Sequence, residues 1–254
     1  MVYFRLSLNC YQNNFLRIKG EYVLSTVIQI IGIFSIALAL LLVVLFFNVY
    51  KTQRSIILLG LPFGFLFLTL SYIFLGIHLM YPSVDAFSSS IMWSRVITQT
   101  WGFTLIASSY FLSGRAQRTT KHSHLAITIW SVVSVICIFV LLYVINPPGL
   151  VSVYSYNEVF AIVNIALLSY IIFFIVRRLE LATGSVSGLI SAPVAFAFIW
   201  LGQFLFLIWN LDAGGQAALI GSQIAPLIGL ALLIRIYYLV SKRCQQELDS
   251  YEAK

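Results

Sequence analysis

Apolar residues in this chain do not alternate with polar ones as in a half-buried strand. They come in long unbroken runs. About 20 apolar residues of helix, rising 1.5 Å each, cross a bilayer core of about 30 Å. Seven stretches reach that length: Tyr22–Val49, Ile56–Met80, Ile91–Leu112, Leu125–Ile145, Tyr154–Val176, Leu189–Asn210 and Ala217–Val240. Polar and helix-breaking residues close them: Lys51 and Arg54, Tyr81-Pro82, Asn146-Pro147-Pro148-Gly149, Arg177-Arg178, then Lys242 and Arg243. No loop is long enough for a further domain. The pattern predicts an all-α, polytopic membrane protein: seven transmembrane helices over residues 22–240 and a short cytoplasmic tail over 241–254.

Residues 1–21 carry no continuous apolar core of a signal peptide, because Arg5, Asn9, Gln12, Asn13, Asn14 and Arg17 interrupt them. They are expected to form an interfacial helix, with Val2, Phe4, Leu8, Phe15 and Ile18 apolar and Arg5, Arg17 and Lys19 at the headgroups.

Composition agrees. Of 254 residues, 61% are hydrophobic and 9% charged, against about 25% charged in a soluble domain. That excludes soluble enzymes and nucleic-acid binders. The net charge of +7 sets topology and meets anionic lipid headgroups. Lys51, Arg54, Arg115, Arg118, Lys121, Arg177, Arg178, Lys242, Arg243 and Lys254 all follow odd-numbered spans or lie in the tail. The intervening loops hold Asp85 and Asp212 instead. The N-terminus is therefore expected outside a cell membrane and the C-terminus inside, with Arg5, Arg17 and Lys19 as exceptions.

Candidate chemistry is sparse. Cys10, Cys137 and Cys244 lie far apart, and His78, His122 and His124 offer no facing pair for haem. HExxH, Gly-rich phosphate loops and paired intramembrane carboxylates are absent from the sequence. No catalytic site, metal or cofactor is expected. Intramembrane ionisable groups are costly and point to function. Arg95 and Glu158 each lie about one turn inside a span on the outer side, where they could pair across an outward vestibule. Gln99 shares the face of Arg95 in the third span, with Thr98 and Trp101. Trp200, Gln203 and Gln223, with Asn164 and Asn210, are candidates for the same outward vestibule. The competing reading is headgroup snorkelling and interhelical hydrogen bonding.

A weak repeat runs through the chain. Ser94–Arg115 laid on Ser222–Arg243 matches at six of 22 positions, Tyr110 falling on Tyr238. Pro62-Phe63-Gly64-Phe65 parallels Pro193-Val194-Ala195-Phe196, and Phe46-Phe47 parallels Phe173-Phe174. Spans 1–3 would recur as spans 5–7, in parallel, with span 4 as connector. This layout resembles the seven-helix superfamily of microbial rhodopsins, SWEET-type sugar carriers and the sensor modules of some histidine kinases. The resemblance is one of topology and covers most of the chain. A rhodopsin-like activity would need a lysine in the seventh helix, but Lys19, Lys51, Lys121, Lys242 and Lys254 all lie outside the spans. A retinal pigment is thereby excluded. SWEET-type carriers have a Pro-Gln pair that this chain lacks. Seven helices, an outside N-terminus, an outward pocket and a basic cytoplasmic face point to a receptor-like module acting through a separate membrane or cytoplasmic partner. Alternatives are a small-solute carrier of three-plus-one-plus-three type and an accessory subunit of a larger complex.

Overall fold

The computed structural model describes residues 2–53, 59–80, 85–115, 157–181, 191–211 and 215–252. Among these, all ordered structure is helical: α1 (Val2–Gln53), α2 (Gly60–Met80), α3 (Asp85–Arg115), α4 (Asn157–Leu181), α5 (Ser191–Asn210) and α6 (Gly215–Glu252). The expected fourth span, with His122, His124 and Cys137, lies outside the described residues. Of the seven expected helices, six are therefore described. Five contain a stretch long and apolar enough to cross a membrane: Thr26–Lys51, Leu59–Met80, Glu158–Arg177, Ala192–Asn210 and Gly215–Leu239. α3 is long enough but carries Asp85, Arg95 and Arg115 among serines and threonines.

Local sequence explains the helix ends. Pro62 and Pro193 sit in the first turns of α2 and α5, where the missing N–H has no intrahelical acceptor to lose. Gly215 opens α6 at φ +53°, a left-handed conformation that glycine adopts without a Cβ clash. α1 runs unbroken from Val2 to Gln53, across the expected boundary at residue 21.

The six helices close into a ring: α1 packs on α2, α2 on α3, α3 on α4, α4 on α5, α5 on α6, and α6 on α1. α2 and α3 run antiparallel, because Gly60 meets Ser109 while Gly64 and Leu68 meet Gly102. α5 and α6 do the same: Gly229 meets Ala195 and Gly202 meets Ser222 and Pro226. α3 and α4 run parallel, since Trp93 packs on Phe160 and Tyr110 on Phe174. The end of α3 and the start of α4 thus lie at opposite ends of the ring.

Buried positions recur between the two sets of three helices. Ser35, Ala39 and Leu42 on α1 have the spacing of Asn164, Leu168 and Ile171 on α4. Gly64, Phe65, Leu68, Ser71 and Leu75 on α2 match Ala195, Phe196, Ile199, Gly202 and Phe206 on α5. Arg95, Val96, Gly102, Phe103 and Ile106 on α3 match Ser222, Gln223, Gly229, Leu230 and Leu233 on α6. The contacts recur too. A Cβ on Gly102 would lie 2.7 Å from the Gly64 carbonyl oxygen; one on Gly229 would lie 2.6 Å from that of Ala195. One aromatic contact recurs, α1 with α6 through Phe46 and Tyr237 and α4 with α3 through Phe174 and Tyr110, while the second contact of each group differs. Phe46 stacks on Phe65 at 5.4 Å and meets Tyr237 edge-on at 6.3 Å. Tyr110 meets Phe196 edge-on at 5.9 Å and Phe174 at 6.4 Å. Tyr237 therefore takes the place of Tyr110, one residue before the match expected from sequence; Tyr238 is exposed.

The outside of the ring is apolar as well. Ile33, Phe34, Ile162 and Phe173 are all more than half exposed. A soluble protein rarely presents such a surface, and hydrocarbon tails solvate it at no cost.

Candidate functional site

The ring interior is divided into two tiers. At the end where α1 reaches Lys51 and α4 reaches Arg177, it is a packed core of Ala39, Leu42, Phe65, Phe103, Ile106, Leu168, Ile171, Phe196, Ile199 and Leu230. Toward the other end, every helix contributes polar side chains. Ser35, Thr69, Ser71, Arg95, Asn164, Gln203, Ser222 and Gln223 are all buried. The order along the helices follows their direction: polar then apolar on α1, α3, α4 and α6, and the reverse on α2 and α5, with Ser109 on α3 a buried polar residue at the core end.

Much of this polarity is satisfied locally. Thr98 donates to the Ser94 carbonyl at 2.7 Å, Thr104 to Thr100 at 2.8 Å, and Ser109 to Leu105 at 2.9 Å. Ser35 and Thr69 likewise bond one turn back, to Ile31 and Phe65. Such back-bonding lets hydroxyls sit in an apolar helix without serving a ligand. What this back-bonding leaves over on the third span includes Arg95, Gln99 and Thr100, whose buried Oγ1 has no hydrogen-bond partner among the described residues.

Arg95 is 7% exposed. Its guanidinium lies 5.1 Å from the centroid of the Phe206 ring on α5, and Nη1 is 4.0 Å from the Met92 sulfur. Tyr72 and His78 of α2 are within electrostatic range. Among the described residues no carboxylate pairs with it. An Arg95–Glu158 pair is not formed: Arg95 turns to Phe206, and Trp93 against Phe160 occupies the seam between α3 and the first turn of α4. An uncompensated buried ion costs several kcal/mol. A cation–π contact returns roughly 0.5–2 kcal/mol.

The remaining candidates divide. Gln203 accepts a hydrogen bond from Asn164 Nδ2 at 3.3 Å, joining α4 to α5 inside the ring. Asn164 Oδ1 has no hydrogen-bond partner there. Gln223 donates to Ser222 Oγ at 3.1 Å, and Ser222 donates to the Leu219 carbonyl. Gln99 is half-buried on α3, about one turn from Arg95. Trp200 belongs elsewhere: its Nε1 donates to Ser169 Oγ at 2.9 Å and its ring stacks on Phe204 at 5.4 Å, both toward the outside of the ring. Asn210 is half-buried near the end of α5, its Nδ2 without a partner. Sequence reasoning passed over Tyr72 and Phe206. The polar run Thr69-Leu70-Ser71-Tyr72 inside an apolar span was the available signal for the first; an aromatic residue in an aromatic-rich helix gave none for the second. Among the described residues no group of three His, Cys, Asp or Glu is placed to hold a metal.

This ring, apolar outside and polar at one interior level, defines a multi-pass integral membrane protein. No known protein family, curated protein or solved structure matches the chain.

Proposed function

We propose that the protein is a carrier for a small solute, built from seven membrane-crossing helices as two like halves of three with one connecting helix between them. The observation that carries this reading is the recurrence of buried positions, a close glycine contact and one aromatic contact from α1–α3 to α4–α6. Two similar halves meeting at a polar tier can rock against one another and open that tier to either side in turn. The parallel course of α3 and α4 supports the seventh crossing. The chain leaves α3 at one end of the ring and enters α4 at the other.

Lys51, Arg115, Arg177 and Lys242 all fall toward the apolar-core end of the ring. The basic bias supports placing that end in the cytoplasm of a cell membrane and the polar tier nearer the outside. Receptor-like and accessory-subunit readings rest on the same composition and need a separate partner protein. The matched halves favour the carrier.

The test is counterflow in proteoliposomes loaded with a panel of organic acids, sugars and amino acids. At least one solute is expected to exchange, and Gln203→Leu to slow it several-fold. No exchange, together with a stoichiometric partner retained through gentle-detergent purification, would replace the carrier with the receptor or subunit reading.

A further inference from the structure

We propose that the polar tier binds a monocarboxylate, with the Arg95 guanidinium as its charge partner. The inference rests on reading the tier as a binding site but not on transport.

The argument starts from charge. Arg95 is more than nine-tenths buried, faces Phe206 across the ring, and has no carboxylate partner among the described residues. Its counterpart in the second half is Ser222, so the recurrence that duplicates the surroundings does not duplicate the charge. The other side chains of the tier, Tyr72, Gln203, Gln223 and Asn164, are neutral. His78, the other ionisable group near Arg95 on α2, is a base and supplies no negative charge. Among the described residues the tier thus holds one positive charge in a medium of low dielectric, which one negative charge neutralises and a dianion would overshoot.

Shape and polarity narrow the class. A guanidinium offers parallel N–H donors that match the two oxygens of a planar carboxylate. The amides of Gln203 and Gln223 and the Tyr72 hydroxyl can complete the hydrogen bonds of a polar head. Phe206 and Met92, the groups in contact with Arg95, are apolar. They suit an acid whose carboxylate is attached to a compact apolar or aromatic body.

The experiment uses the full chain in nanodiscs of zwitterionic lipid and follows thermal unfolding with sodium benzoate, benzamide, inorganic phosphate and oleate. Benzoate is expected to raise the melting temperature in a saturable way, while its uncharged isostere benzamide and phosphate leave it unchanged. Arg95→Gln should weaken benzoate at least tenfold, and Arg95→Lys should keep part of the affinity. Should Arg95→Gln fail to fold, the benzoate–benzamide contrast on the unaltered chain decides the matter. Oleate acting at far lower concentration than benzoate would make the bound acid a fatty acid; benzoate acting alone would make it a small soluble one. Either keeps the carboxylate–Arg95 pair. Equal shifts with benzamide and benzoate, no shift with either acid, or an unchanged Arg95→Gln affinity would overturn it. Benzoate binding without counterflow would remove the carrier and leave this site standing. Counterflow of a neutral solute without carboxylate binding would do the reverse.

Discussion

Single residues set how close the helices come. At Gly102 a side chain would enter the Gly64 carbonyl and Leu68; at Gly229 it would enter the Ala195 carbonyl and Ile199. Backbone cannot yield as a side-chain tip can, so the helix pair would have to separate. Gly102→Leu and Gly229→Leu are each expected to destabilise the folded protein by about 2 kcal/mol or more, the upper range for overpacking. Gly32→Leu, where nothing lies within 4 Å of an added Cβ, should be neutral. Detergent-solubilised melting curves check the contrast, and equal losses at all three positions would refute the close seams. At this scale the sequence showed which polar residues lie inside the spans, because charge and amide groups stand out in apolar runs. It could not show which way they turn. Arg95 and Glu158 share a depth but not a contact, and Trp200 is deep yet bonded to Ser169 toward the ring exterior. Depth follows from counting residues, whereas direction depends on how neighbouring helices rotate.

Helices were the easiest feature to read. Apolar length alone located α2, α4, α5 and the membrane part of α1 and α6. Two things escaped it. One is the unbroken course of α1 from Val2 to Gln53, through the polar residues before Tyr22. The other is the exact register of the repeat. Tyr237 and Tyr238 are adjacent, and identity matching chose the exposed one; burial and ring contacts select Tyr237. The directions of α3 and α4 carry their own expected outcome. Epitope tags inserted after Arg118 and after Ser152 should be reached by antibody from opposite faces of sealed membrane vesicles. Both tags on one face would remove the crossing between them, and with it the seven-helix count.

At the scale of the molecule, the two sets of three described helices are alike in their buried positions and differ at Arg95, which falls opposite Ser222. Matched seams, α2 with α3 and α5 with α6, make each half a tightly packed unit through glycine contacts. The seams between halves, α3 with α4 and α6 with α1, rest on larger aromatic side chains such as Trp93 on Phe160 and Phe46 on Tyr237. The weak sequence repeat hinted at this division, but only the recurrence of buried positions gives it residue-by-residue form.

The most direct test is side-specific labelling of a thiol beside the polar tier. Gln99→Cys, with Cys10, Cys137 and Cys244 replaced by serine, would be exposed to a membrane-impermeant maleimide in right-side-out and in inverted vesicles. Reaction from both faces, slowed by benzoate, is the expected result for two halves that open the tier to each side in turn. Reaction from one face only would contradict a carrier and leave a receptor-like pocket in its place.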